Sequence, residues 1–113
     1  MVNIYHISSW KAWEEAVKRN GYQSDSLARK GFIHCSLYTQ LLRVANTFYR
    51  GQKDLVILVI DPTRLTSEMR WEPGTDKQDE LFPHVYGPIN LDAVSRVLDF
   101  KENPEGQFNL PSV

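Results

Sequence analysis

Six consecutive aliphatic residues, Leu55-Val56-Ile57-Leu58-Val59-Ile60, stand near the middle of a chain of 113 residues. A strand buried on one face alternates apolar with polar, whereas a run apolar at every position needs cover on both faces. The run therefore predicts the central strand of a sheet, with other elements packed on each side. Asp61-Pro62 ends it, because proline has no N–H to donate to the ladder. Every other segment has to be arranged around this strand.

Val2 to His6, rich in β-branched and aromatic types, reads as a first strand. Ser8 or Ser9 offers a helix N-cap, and Trp10, Trp13 and Val17 follow on one helical face. Asn20-Gly21 closes that helix. Ser24 to Lys30 suits one or two helical turns stopped by Gly31, and Phe32 to Ser36 suits a short strand. Leu41, Val44, Ala45 and Phe48 at i, i+3, i+4 and i+7 predict the second long helix, closed by Gly51. Trp10, Trp13 and Phe48 are expected in the core. Met69 to Glu72 reads as a strand, Thr75 to Glu80 as a polar loop, and His84-Val85-Tyr86 as a short extended piece. Asn90 is placed to cap a turn through Leu91 and Ala93, and Arg96 to Phe100 is a late strand. The sum is an α+β domain over residues 1–102, with a mixed, largely antiparallel β-sheet of about five strands and two main helices. Residues 103–113, with two prolines and a glycine, are expected as a loosely docked tail.

Composition excludes several classes. A net charge of -1 and a pI near 6.3 argue against general nucleic-acid binding, although Arg43, Arg50 and Lys53 could form a local basic patch. The single cysteine, Cys35, excludes an intrachain disulfide framework and points to a reducing cytoplasm. No apolar run approaches the length of a membrane span, and no basic-then-apolar leader opens the sequence. No Gly-rich phosphate loop follows a strand. Three histidines with a cysteine or glutamate match zinc-ligand types, but no spacing brings a close pair together, so no metal is expected.

Chemistry gathers in three clusters. In Gly31-Phe32-Ile33-His34-Cys35-Ser36, strand alternation sets His34 and Ser36 on one face and Cys35 on the other. In Arg70-Trp71-Glu72 it sets Arg70 beside Glu72, which suggests a carboxylate oriented by its arginine for a sugar hydroxyl or a developing positive charge. The plainer reading is an exposed ion pair of small energetic weight. In Phe82-Pro83-His84-Val85-Tyr86-Gly87-Pro88 two prolines and a glycine fix an irregular backbone, so a rigid loop carrying His84 and Tyr86 is expected as a ligand wall. His6, in Ile4-Tyr5-His6-Ile7, adds a third histidine on a strand.

These strings, with Trp13, Ser26-Leu27, Gln40, Ala45-Asn46, Phe48-Tyr49 and Asp54-Leu55, resemble the bacterial family known as domain of unknown function 952, over nearly the whole chain up to about Phe100. That family is in turn similar to the ADP-ribosyltransferase fold, in which a split antiparallel sheet grips NAD. The resemblance implies that His6 holds the adenosine-side ribose, that Ser36 lies near the nicotinamide and that Glu72 bonds the nicotinamide ribose. Ile7 departs from the pattern, which often has glycine after the first histidine, and Glu72 matches only by order and chemistry. The expectation is a cytoplasmic domain that binds NAD or a related nucleotide and transfers or cleaves ADP-ribose. Glu72, His34 and His84 would be its catalytic residues, and His6, Ser36, Tyr86 and Arg70 would contact the cofactor. A non-enzymatic module for a small ligand or a protein partner is the alternative, and NAD-consuming RNA end processing is a third.

Overall fold

The computed structural model describes residues 2–74 and 77–112. In chain order they form β1 (Ile4–Ser9), α1 (Trp10–Arg19), α2 (Asp25–Lys30), β2 (Ile33–His34), α3 (Tyr38–Phe48), β3 (Leu55–Ile60), β4 (Glu68–Pro73), β5 (Leu81–Tyr86) and β6 (Val94–Phe100), with single 3-10 turns at Pro62–Arg64 and Leu91–Ala93. The strands make two three-stranded sheets, β1-β3-β6 and β2-β5-β4. Every strand pairing among the described residues is antiparallel, so the parallel component of the expected mixed sheet is absent there. Backbone bonds between Tyr5 and Ser36 tie one sheet to the other at 2.8 Å.

The aliphatic run is the central strand β3, buried at all six positions. Val56, Leu58 and Ile60 pack with Ile4, Ala16, Tyr22 and, from the second sheet, Ile33 and Val85. Leu55, Ile57 and Val59 face the other way, onto Leu41, Val44 and Ala45 of α3 and onto Phe82, Phe100 and Phe108. Both layers thus meet on one strand, which is why every position in it is apolar.

The helix boundaries follow local chemistry. Ser9 Oγ accepts from Ala12 N at 3.0 Å and caps α1, while Asn20 adopts φ 59° at its C-terminus. Gly31 closes α2 at φ 85°, a left-handed conformation that costs glycine little. That reversal delivers the chain into β2.

Four expectations need correction. Trp10 and Phe48 are not core residues: they are 37% and 47% exposed, and Val17 is exposed with them. Trp10 opens α1 and its indole N–H donates to Asp99 Oδ1 at 2.9 Å. The face of α1 that enters the core is Ala12, Trp13 and Ala16. The Phe82–Pro88 segment is not a loop. Its first five residues belong to β5, the middle strand of the second sheet. Pro83 is accommodated because the β2 ladder has shrunk there to one bond, Cys35 N to Pro83 O at 3.0 Å. The tail is not loosely docked: Phe108 is 2% exposed and stacks on Phe100 with centroids 4.6 Å apart. Of the expected loop from Thr75 to Glu80, Thr75 and Asp76 lie outside the described residues, as does Val113 of the tail. The rest of the loop is turn, held by Gln40 Nε2 donating to Glu80 Oε2 and to Leu81 O, both at 2.9 Å. No helix among the described residues is long and apolar enough to cross a membrane.

Candidate functional site

Register brings the polar residues of the second sheet together. Arg70 pairs with His84 across β4 and β5, and His84 pairs with His34 across β5 and β2. Glu68 stands opposite Tyr86, and Glu72 opposite Phe82. Side chains alternate along a strand, so one face of this sheet carries Glu68, Arg70, Glu72, His84, Tyr86 and His34. The opposite face gives Ile33 and Val85 to the core. A period of two in three short strands, set in register by antiparallel pairing, is the whole origin of the cluster.

Glu72 is the hub. Its Oε1 accepts from His84 Nδ1 at 2.9 Å and from the Tyr86 hydroxyl at 2.5 Å. These two bonds, Tyr86's the larger, hold its carboxyl below the usual carboxylate range, and the same bond raises the Tyr86 hydroxyl. The side chain of Glu72 keeps 30% exposure, whereas that of His84 keeps 5%. Phe32 lies flat on the His84 ring at 4.1 Å and 14°. His84 Nε2 stands 3.3 Å from His34 Nδ1. A carboxylate only accepts, so His84 carries its proton on Nδ1. The His34 Nδ1 to His84 Nε2 contact carries one proton between the two rings.

Arg70 does not orient Glu72, as the alternation had suggested. It donates to both oxygens of Glu68, at 2.8 and 3.2 Å, and lies over the Tyr86 ring at 4.5 Å. Both carboxylates share its face, and the one two residues back takes the guanidinium. The partner of Glu72 is instead His84.

A second polar series reaches His34 from the other sheet. His6 is 6% exposed, and its Nδ1 donates to the His34 carbonyl at 2.6 Å. Its Nε2 lies 2.8 Å from the Tyr22 hydroxyl, which is also 2.8 Å from Ser8 Oγ. Burial depresses His6 to about 4, the carbonyl bond acting in the opposite sense. Near neutral pH the ring is therefore uncharged and Nε2 accepts the Tyr22 proton. When His6 is charged, Nε2 donates and the Tyr22 proton turns to Ser8. Tyr22 escaped the sequence reading. Its only signal is a lone aromatic in the polar stretch from Asn20 to Ser26, and it is positioned by bonds to Ile89 far along the chain.

The depressed value of His6 has a thermodynamic consequence. The unfolded chain takes up its proton near the ordinary 6.5, the folded one only near 4. Stability is therefore full above about pH 6.5 and falls as pH drops towards 4, by roughly 3 kcal/mol in total. Carboxylates with lowered values, such as Glu72 and Asp99, lose their contribution only below their unfolded values near pH 4. Urea unfolding at pH 7.5 and pH 5 should differ by about 2 kcal/mol, with the His6 ring resonances still those of a neutral imidazole at pH 5. Equal stability at the two values, or a charged His6 ring at pH 5, would contradict the burial argument.

A cleft of about 720 Å³ runs along this region. His6, Ser8, Tyr22, Phe32, His34 and His84 line it, with Arg19, Arg29 and Lys30 also among its walls. All three histidines expected at a shared site do meet there. Glu72, bonded to the lining His84, is not itself among the lining residues, nor are Tyr86 and Ser36, the last 2% exposed. Cys35 is fully buried and burial pushes its thiol up, so no thiolate is available for attack. Among the described residues no group of three or more His, Cys, Asp or Glu is disposed to hold a metal ion.

The sequence profile described as "Protein of unknown function (DUF952)" matches residues 7–97. The crystal structure of protein CC0527 from Caulobacter crescentus is similar to this chain at 30% identity and a TM-score of 0.86, covering 96% of this chain and 95% of that one. The solution NMR structure of CC0527 is similar at 30% identity and a TM-score of 0.80, covering 95% and 91%. No curated protein matches the chain.

Proposed function

We propose that this chain, which belongs to the DUF952 family, takes NAD or a related nucleotide into the cleft and transfers or cleaves ADP-ribose there. The observation that carries this reading is the clamped carboxylate. Both bonds to Glu72 fall on Oε1, so Oε2 remains for a ligand on a side chain that is still partly exposed. A fixed carboxylate of this kind stabilises an oxocarbenium-like sugar.

The step balances with groups already present. The bond between C1′ of the ribose and the nicotinamide nitrogen breaks, and its electron pair leaves with nicotinamide. Water or an acceptor hydroxyl forms the new C1′–O bond and gives its proton to the imidazole pair of His34 and His84. His84 relays the charge of Glu72 to His34 through two ring nitrogens. In this reading Tyr86 and Arg70, which do not line the cleft, position Glu72 and Glu68 rather than touch the sugar. His6, with both nitrogens bonded to protein groups, holds the His34 backbone in place rather than gripping ribose. Two antiparallel sheets joined at Tyr5 and Ser36 support a likeness to the split sheet of ADP-ribosyltransferases.

The test is an NMR titration of amide and histidine-ring signals with NAD. Saturable shifts at Phe32, His34, Glu72 and His84 are expected, followed by nicotinamide release on incubation. Shifts without release would favour a non-enzymatic binding module. Absence of shifts at millimolar NAD would remove the nucleotide reading.

A further inference from the structure

One wall of the cleft is cationic, and nothing in the chemistry above uses it. Arg19 comes from the last turn of α1, and Arg29 and Lys30 come from the last turn of α2. A cation in a last helical turn stabilises its own helix, which accounts for the residue types. It does not account for three cations from two helices lining one cleft with no ion pair among the described residues. Glu15 and Asp25 line the same cleft and stand four residues before Arg19 and Arg29, the spacing of a helical ion pair. Yet among the described residues none of the ion pairs involves Arg19, Arg29 or Lys30. The hydroxyls of Ser24 and Ser26, 2.7 Å apart, belong to the same wall. Aromatic and imidazole surface occupies another part of the cleft, through the half-buried Phe32 and His34.

We infer that the α2 wall is an anion subsite, in which Arg29 and Lys30, with Arg19 beside them, receive the phosphate or diphosphate of a ligand whose ring system lies against the aromatic wall. The ligand class is then a phosphorylated aromatic compound, recognised first through its charge. Three cations against the two carboxylates Glu15 and Asp25 leave this part of the lining net positive, which raises the local concentration of such an anion, and the contacts that form are charge-assisted. The inference deepens the nucleotide reading and rests on it for the nature of the rest of the ligand. The anion contact itself can be tested separately.

Three probes, ADP, adenosine and inorganic pyrophosphate, are titrated into the intact protein by NMR and calorimetry at low and moderate salt. ADP is expected to bind about tenfold or more tightly than adenosine, the scale of one charge-assisted contact, and to weaken as salt rises. Pyrophosphate alone should shift backbone amides between residues 24 and 31. In the double variant Arg29→Gln, Lys30→Gln the ratio of ADP to adenosine affinity should fall to near one. Both side chains are exposed, so the variant keeps its fold, which its amide spectrum checks. Equal affinities for ADP and adenosine in the unaltered protein, an ADP preference that survives the double substitution, or silence towards both ADP and pyrophosphate would each overturn the subsite. Pyrophosphate binding at α2 with no response to NAD would instead sustain the subsite and remove the nucleotide reading.

Discussion

Phe108→Ala is expected to lower the stability of the protein by about 3–5 kcal/mol. The ring is stacked on Phe100 and sealed against α3 and the central strand. The loss combines the transfer energy of a phenyl group with the cost of the cavity it leaves, because neighbours on a rigid sheet relax only in part. The backbone has its own anchors: Phe108 N donates to Asn46 Oδ1 at 3.0 Å, and Asn103 N to Gln107 O at 2.7 Å. Those bonds keep the segment near its place and prevent closure of the cavity by the tail swinging away. A domain of this size has about 5–15 kcal/mol in all, so the variant should be marginal at physiological temperature. Urea unfolding of Phe108→Ala beside Leu110→Ala, whose side chain is exposed, makes the comparison. The Leu110 change should stay within about 1 kcal/mol. Similar small losses for both would mean that the tail is a surface strap and not part of the core.

The tail shows where sequence reading stops. Pro104, Gly106 and Pro111 prevent regular structure, and the sequence says so. They do not prevent a single aromatic between them from entering a core built by residues half the chain away. The central strand was legible for the opposite reason, since burial on both faces writes itself into every position from Leu55 to Ile60. Helix ends were legible because capping is local: Ser9, Asn20 and Gly31 act on groups within a few residues. The face of a helix is a different matter. Trp10 and Phe48 keep the correct period, yet each sits at a helix end where the neighbouring element no longer covers it, and periodicity carries no information about that cover. Pro83 misled through its usual meaning. It lies in a central strand only because β2 is two residues long and the one bond made there is accepted by the Pro83 carbonyl. Within the site, alternation correctly gathered Arg70 with Glu72 and His84 with Tyr86. It could not rank Glu68 against Glu72 as the partner of Arg70, because both occupy the same face. It also could not reveal Tyr22, whose position depends on a pairing with Ile89 that no local pattern encodes.

Glu72→Gln is expected to reduce nicotinamide release by about 10²–10³-fold, the scale for removing one preorganised electrostatic group from a reacting centre. The substitution keeps shape and an acceptor oxygen for His84 and Tyr86, and removes the negative charge. In the proposed reaction the ring and phosphate contacts carry ground-state binding of NAD, so affinity should change by no more than about threefold. Only the positive charge that develops on the ribose loses its counter-charge, and the loss therefore falls on turnover. The pH dependence follows from the same geometry. Bonds from Tyr86 and His84 hold the Glu72 carboxyl below its ordinary range, so its charge persists from neutral pH down through the ordinary carboxylate value. Tyr86→Phe removes the larger of the two causes of that lowering while leaving His84 in place, and should cost about tenfold in rate. It should also move the onset of Glu72 protonation upward. The outline of the experiment is a rate profile for the unaltered protein and both variants, with melting curves to show that the partly exposed carboxylate is not needed for folding. Turnover by Glu72→Gln close to that of the unaltered protein would remove the carboxylate from the mechanism. A large loss of NAD affinity with unchanged turnover would make Glu72 a ligand-binding residue and the domain a recognition module.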